Sequence, residues 1–197
     1  MIFRPLLTLL ALAILSQPAV AQHGHSAPPA PKPPREANQF DFLVGEWELT
    51  GQFRAAGLAA RIHGSPTFPG TWKAWRGLDG WGIVDEVRLT DKSGNPRALT
   101  HSVRTYDAAA GRWNLSVLDV YRSTFQTATA EWRDGEMLVS SRGTDTEGRD
   151  FVSRTRFHAI EPAGFRLQQD RSYDEGRTWT EGFLKITAKR VAPSASP

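Results

Sequence analysis

The chain has 197 residues, of which 40% are hydrophobic, a formal net charge of +3 and no Cys. The missing Cys excludes disulfides and lipoprotein acylation, so any fold must hold by core packing alone. Lys and Arg are interleaved with Asp and Glu without a clustered basic stripe, which argues against nucleic acid as a partner.

At the N-terminus Arg4 precedes the apolar run Leu6–Leu15, and Ala19-Val20-Ala21 supplies small residues around a cleavage point before Gln22. This pattern predicts a signal peptide over 1–21 and a periplasmic or secreted protein. The run is about half the ~20 residues that a bilayer span needs, so no transmembrane segment is expected after cleavage. Residues 22–39 form a Pro-rich spacer, expected to be disordered because the stretch through Pro34 has no aliphatic or aromatic side chain to bury. Its His23-Gly24-His25 offers either loose Cu²⁺ or Zn²⁺ capture or an unliganded polar tail. The stretch 192–197 is expected to fray for the same reason as the spacer.

From 40 to 191 the chain is punctuated by Asp79-Gly80, Lys92–Pro96, Ala110-Gly111, Asp134-Gly135, Glu147-Gly148, Pro162–Gly164 and Glu175-Gly176. Gly at positive φ and Pro at fixed φ favour tight turns. The segments between them read as strands near 45–53, 71–78, 81–90, 98–106, 112–120, 124–132, 136–143, 150–160, 164–173 and 178–190. Alternation supports this: Trp113, Leu115 and Val117 fall on one face, and Leu184, Ile186, Ala188 and Arg190 share another, opposite Phe183, Lys185, Thr187 and Lys189. Residues 54–70 fit least and read as a long loop or short helix able to act as a lid. Hairpin-linked strands in such number must close or fold over to bury their edges, so the expected fold is all-β, a single antiparallel up-and-down barrel of about ten strands, with a two-sheet β-sandwich as the alternative.

The segment Phe40-Asp41-Phe42-Leu43-Val44-Gly45-Glu46-Trp47 resembles the opening of calycin-type barrels, whose first strand begins Gly-x-Trp, and the last strand ends in Lys189-Arg190, where such barrels place an Arg against that Trp. Together with Arg104-Thr105-Tyr106-Asp107, Gly111-Arg112-Trp113 and the hairpin Ser172–Trp179, it resembles a bacterial family of exported calycin-like proteins of unassigned function. The resemblance implies a lipocalin-type barrel and implies no activity. Beside it stands a physical reading: Arg190 is out of place in an apolar row unless its guanidinium stacks on Trp47, a structural plug at one barrel end.

Ser172-Tyr173-Asp174-Glu175-Gly176-Arg177-Thr178-Trp179 fits the Asp-box pattern of sialidase propellers, but it occurs once, without the blade repeat. Its expected role is structural: Asp174 accepts turn amides, Gly176 takes positive φ and Trp179 enters the core. Small barrels that bind haem do so through one axial His. Strand parity sets His101 with Leu99 and Val103 on the expected inner face, and His158 with Arg154 and Arg156 toward solvent. No metal-ligand spacing, Gly-x-Ser-x-Gly elbow or phosphate loop is present. Asp85 among Ile83 and Val87, and Gln169 and Arg171 among Phe165 and Leu167, place polar groups in apolar rows. With His101 they are the candidate ligand-binding residues, unless Asp85 and Arg171 simply pair across the barrel or the register is off by one. The leading expectation is a barrel that binds a small, partly apolar molecule. The alternatives are an envelope protein–protein module with a filled barrel, and a haem-binding barrel or an enzyme using Asp85 as a pocket acid.

Overall fold

The computed structural model describes residues 31–55 and 64–192. Ten strands follow one another: β1 (Gly45–Phe53), β2 (Thr67–Gly77), β3 (Gly82–Thr90), β4 (Pro96–Asp107), β5 (Arg112–Asp119), β6 (Thr124–Arg133), β7 (Glu136–Thr144), β8 (Asp150–Glu161), β9 (Gly164–Ser172) and β10 (Thr180–Arg190). Each pairs antiparallel with the next, and β1 pairs with β10, so the sheet closes into an up-and-down barrel rather than folding into a sandwich. Closure leaves no unpaired edge, which a meander of this length requires. The turn signals act as expected. At the β6–β7 hairpin, for example, Asp134 and Gly135 both take positive φ (52° and 81°), the twist that a two-residue turn needs to match its strands.

Two boundaries differ from the sequence reading. β2 starts at Thr67, so residues 67–70 of the expected loop or lid are strand, held by pairing of Gly70 with both Leu49 and Leu89. Residues 56–63 lie outside the described residues, as do the expected signal peptide, His23 and His25. The Pro-rich spacer also ends earlier than 39. Arg35–Asn38 and Asp41–Leu43 form two 3-10 turns, and Ala37 is fully buried. No helix among the described residues is long and apolar enough to cross a membrane.

Those two turns close one end of the barrel, which we term the floor. Phe40 and Leu43 are fully buried there with Trp47, Trp113 and Met137. Phe40 meets Trp113 edge-on at 4.9 Å, and Trp47 meets Phe165 at 4.9 Å. Gln39 Oε1 accepts from Trp113 Nε1 (3.0 Å), and Leu43 O accepts from Trp47 Nε1 (2.7 Å), so the plug itself satisfies these two buried indole donors. Arg190 lies with its guanidinium carbon 4.0 Å from the Trp47 ring centroid, and its nitrogens donate to Pro162 O (2.7 Å) and Val44 O (3.0 Å). The other end, bounded by Phe53, Phe68, Gly143, Phe151 and Arg171, is the mouth.

Candidate functional site

Strand register sorts the four candidate residues into three environments. Asp85 faces inward, opposite Ala74 on β2 and Ser102 on β4, and is fully buried. Its counter-ion is Arg104, also inward and 5% exposed, rather than Arg171. Arg104 Nη1 faces Asp85 Oδ2. The guanidinium carbon sits 5.3 Å from the Phe40 ring centroid and 5.9 Å from that of Trp72. Burial pulls the Arg104 pKa down to about 9, which still leaves a cation at neutral pH beside the carboxylate. Asp85 Oδ1, Arg104 Nε and Trp72 Nε1 have no hydrogen-bond partner among the described residues. Asp85, the acid that a catalytic reading relies on, is thus fully buried and held against Arg104.

His101 is a correction. It pairs with Glu86 across β3–β4 on the outer wall, with Nε2 2.9 Å from Glu86 Oε2, and its row-mate Val103 is 40% exposed. The inward row of β4 is instead Ala98, Thr100, Ser102, Arg104 and Tyr106. Parity failed because both rows mix apolar and polar residues, and the buried Asp85 draws the row that carries a cation inward. His158 sits on the outer wall opposite Arg166, and burial followed by the charge of Arg156 lowers its pKa. With His101 outside, the haem reading loses the inward imidazole on which it rested.

Gln169 and Arg171 stand together near the mouth. Arg171 Nε donates to Gln169 Oε1 (3.1 Å), and Gln169 Nε2 donates to Thr155 Oγ1 (3.4 Å). The Arg171 guanidinium is sandwiched between Phe151 (4.0 Å to the centroid) and Phe183 (3.8 Å). Burial lowers its pKa from the ordinary value, against the opposing influence of Tyr173 and Asp145. Strand parity sets Phe183 on the face of Lys185, opposite Leu184 and Ile186. A register shift between Thr180 and Leu184, with Gly182 at φ 59°, turns it into the mouth, where it also meets Phe53 at 6.2 Å. No sequence signal for that bulge stands out beyond Gly182 itself. Arg104 was legible only as part of a motif, and what points to it as a site residue is the need of a buried Asp for a counter-charge.

The Asp-box hairpin supports this end of the barrel. Asp174 accepts from Thr178 N (2.8 Å), Thr178 Oγ1 (2.7 Å) and Ser172 Oγ (2.7 Å), while Gly176 N donates to Ser172 Oγ (2.8 Å). These bonds hold the Asp174 pKa down to about 2. Trp179 does not enter the core as expected: it packs on the outer wall beneath Arg154 (4.4 Å) and donates to Gly176 O (3.0 Å). The hairpin thereby fixes Ser172, the neighbour of Arg171 in β9.

Between mouth and floor the inner wall is lined by small or polar side chains: Gly51, Gly70, Thr100, Ala128, Ser141, Gly143 and Ser153. Ser141 and Ser153 hydroxyls share a hydrogen bond (2.7 Å). Inward-facing Val87, Ala128, Val139 and Leu184 pack against the core but remain partly accessible. Eight strands already make a barrel just wide enough for side chains to fill, and ten make it wider; the small residues of this wall are offset by larger neighbours, with Leu89 over Gly51 and Gly70 and Phe151 over Gly143. Two concavities of about 460 and 400 Å³ lie instead on the outer wall, one by Arg154, Gln168 and Asp170, the other by Glu48, Pro69 and Lys189. The first is crossed by the Arg154–Asp170 ion pair (2.9 Å), and charged side chains line both, so neither offers a continuous apolar surface.

No family model matches the chain, and no curated protein matches it. Among solved structures it is similar to "Structure of EF1p2_mFAP2b bound to DFHBI", with 11% identity over 79% of this chain and 98% of that one and a TM-score of 0.39.

Proposed function

We propose that this protein is an exported barrel that carries a small, partly apolar molecule in the mouth half of its lumen, over a sealed floor. One observation carries the reading. Inward-facing apolar residues of the upper wall, Val87, Ala128, Val139 and Leu184, are only partly buried. An apolar wall open to water gains when a ligand covers it, at about 25 cal/mol per Å² removed from water. Export rests on the leader-like residues 1–21, and the three landmark motifs support membership of the exported calycin-like proteins of unassigned function. Native mass spectrometry of the protein purified gently from its own cells tests both parts. A stoichiometric small molecule and a mature mass beginning at Gln22 are expected. A clean apo mass that extracts of the same cells fail to shift would count against the carrier, and retention of residues 1–21 against export.

A second reading, an envelope interaction module, is favoured by the outer row Trp75, Val84 and Val103, aligned across β2–β3–β4, with Trp75 47% and Val103 40% exposed. An apo, dimeric mass would move the weight to it.

A further inference from the structure

We propose that the molecule held in the upper lumen is an amphipathic organic acid, its anionic group docked on Arg171 and its apolar body directed down toward Leu167. This deepens the carrier reading and rests on it.

The arginines around the mouth differ in their partners. Four in the surrounding loops and strand ends carry their own carboxylate: Arg97 has Asp91 (3.1 Å), Arg122 has Asp119 (2.5 Å), Arg149 has Asp145 (2.8 Å) and Arg142 has Glu175 (2.7 Å), while Arg54, outside the lumen, donates to the backbone of Glu181 (2.8 Å). Arg104, at the floor, has Asp85. Arg171 alone among these points into the lumen toward the mouth, and among the described residues no carboxylate lies within ion-pair distance of it. Asp145 acts on it only from a distance and is already held by Arg149 through two nitrogens.

The setting of Arg171 is a built one. Phe151, only 7% exposed, and Phe183 clamp the guanidinium on both faces, Gln169 takes its Nε–H, and the Tyr173 side chain also hydrogen-bonds it, which leaves the remaining N–H groups of the fork. Stacking of this kind fixes the plane of the fork, and a fixed planar fork with donors to spare matches a carboxylate, sulfonate or phosphate group. A partly buried cation without a counter-ion is unfavourable, and an anionic ligand would remove that cost. Below it the wall turns apolar, through Val139, Ala128 and Leu184 to Leu167, which is 8% exposed. From Arg171 to Leu167 a strand rises roughly 13 Å, and barrel tilt reduces the depth to roughly 10 Å. That depth suits a medium-length alkyl chain or a compact ring system.

The test uses octanoate, octan-1-ol and octyltrimethylammonium, titrated calorimetrically into the ligand-stripped mature protein. The expected order is octanoate tightest, by about 10- to 100-fold over octanol, with the ammonium weakest. Arg171→Gln should bring octanoate to the level of octanol and leave octanol nearly unchanged. Arg171→Lys keeps the charge but loses the planar stack and should retain a reduced preference, which also covers the case in which the Gln variant does not fold. Ala128→Trp, which fills the lumen, should abolish binding of all three. Equal binding of octanoate and octanol, or a preference that survives Arg171→Gln, overturns the acid assignment while leaving the carrier reading intact. If none of the three binds, or if Ala128→Trp changes nothing, the site is not in the lumen and both readings fall.

Discussion

The floor half and the mouth half of this barrel are made by the same ten strands, yet they solve the problem of a wide cylinder in opposite ways. At the floor, Trp47, Trp72, Trp113, Met137, Phe157 and Phe165 project inward, and the 3-10 turns add Phe40 and Leu43 to fill what the strands cannot. Toward the mouth the inward positions mix Gly, Ala, Ser and Thr with Leu89, Phe53 and Phe151. The arginines follow the same division: Arg104 is sealed against a carboxylate, whereas Arg171 is stacked on rings and left without one. A barrel can thus be stabilised at one end and kept receptive at the other, because packing density and an accessible lumen cannot occupy the same layer.

The largest effect should come from splitting the floor pair. Asp85→Ala or Arg104→Leu leaves one buried charge uncompensated and should cost about 3–5 kcal/mol in urea unfolding, while the double variant Asp85→Leu/Arg104→Met regains most of that loss. Single variants that cost under about 1 kcal/mol would mean that the pair is not desolvated, and the contrast between halves would weaken. Close behind, Trp47→Ala should cost about 3–5 kcal/mol, against less than about 1.5 kcal/mol for Val139→Ala in the upper wall. Equal losses would show the upper wall to be as tightly packed as the floor. Ala128→Trp should sharpen the comparison from the other side: the carrier reading expects unfolding to shift by about 1 kcal/mol or less, whereas overpacking of a filled layer costs about 1–3 kcal/mol.

The smallest expected effect is at the Asp-box hairpin. Its hydrogen bonds hold Asp174 near 2, below the ordinary carboxylate value of 3.8, so its contribution to stability is present above pH 4 and disappears as pH falls from about 4 to about 2. Trp179 fluorescence followed across that window should report loosening of the hairpin, and Asp174→Asn should flatten the response. A transition unchanged by the substitution would place the acid-sensitive group elsewhere.

Ten strands, their order and most of their ends were legible because turn chemistry and a period of two are local properties. The approach of Arg190 to Trp47 was legible for a similar reason: a charge in an apolar row needs a stacking partner, and the first and last strands of a closed meander must meet. Gln169 and Arg171 were found as polar interruptions of the row that holds Phe165 and Leu167. The same logic misplaced His101, since Leu99 and Val103 make an apolar row on β4 that tertiary structure turns outward.

Sequence by itself therefore determined the strands, the meander and the residues out of keeping with their rows. Only the tertiary structure decided which row of β4 faces the lumen, that Arg104 rather than Arg171 answers Asp85, that a bulge at Gly182 carries Phe183 into the mouth, and that Trp179 stays on the outer wall. The reason is physical. Alternation states that two faces differ, but which face is buried depends on charges and volumes contributed by strands distant in sequence, and those meet only when the barrel closes.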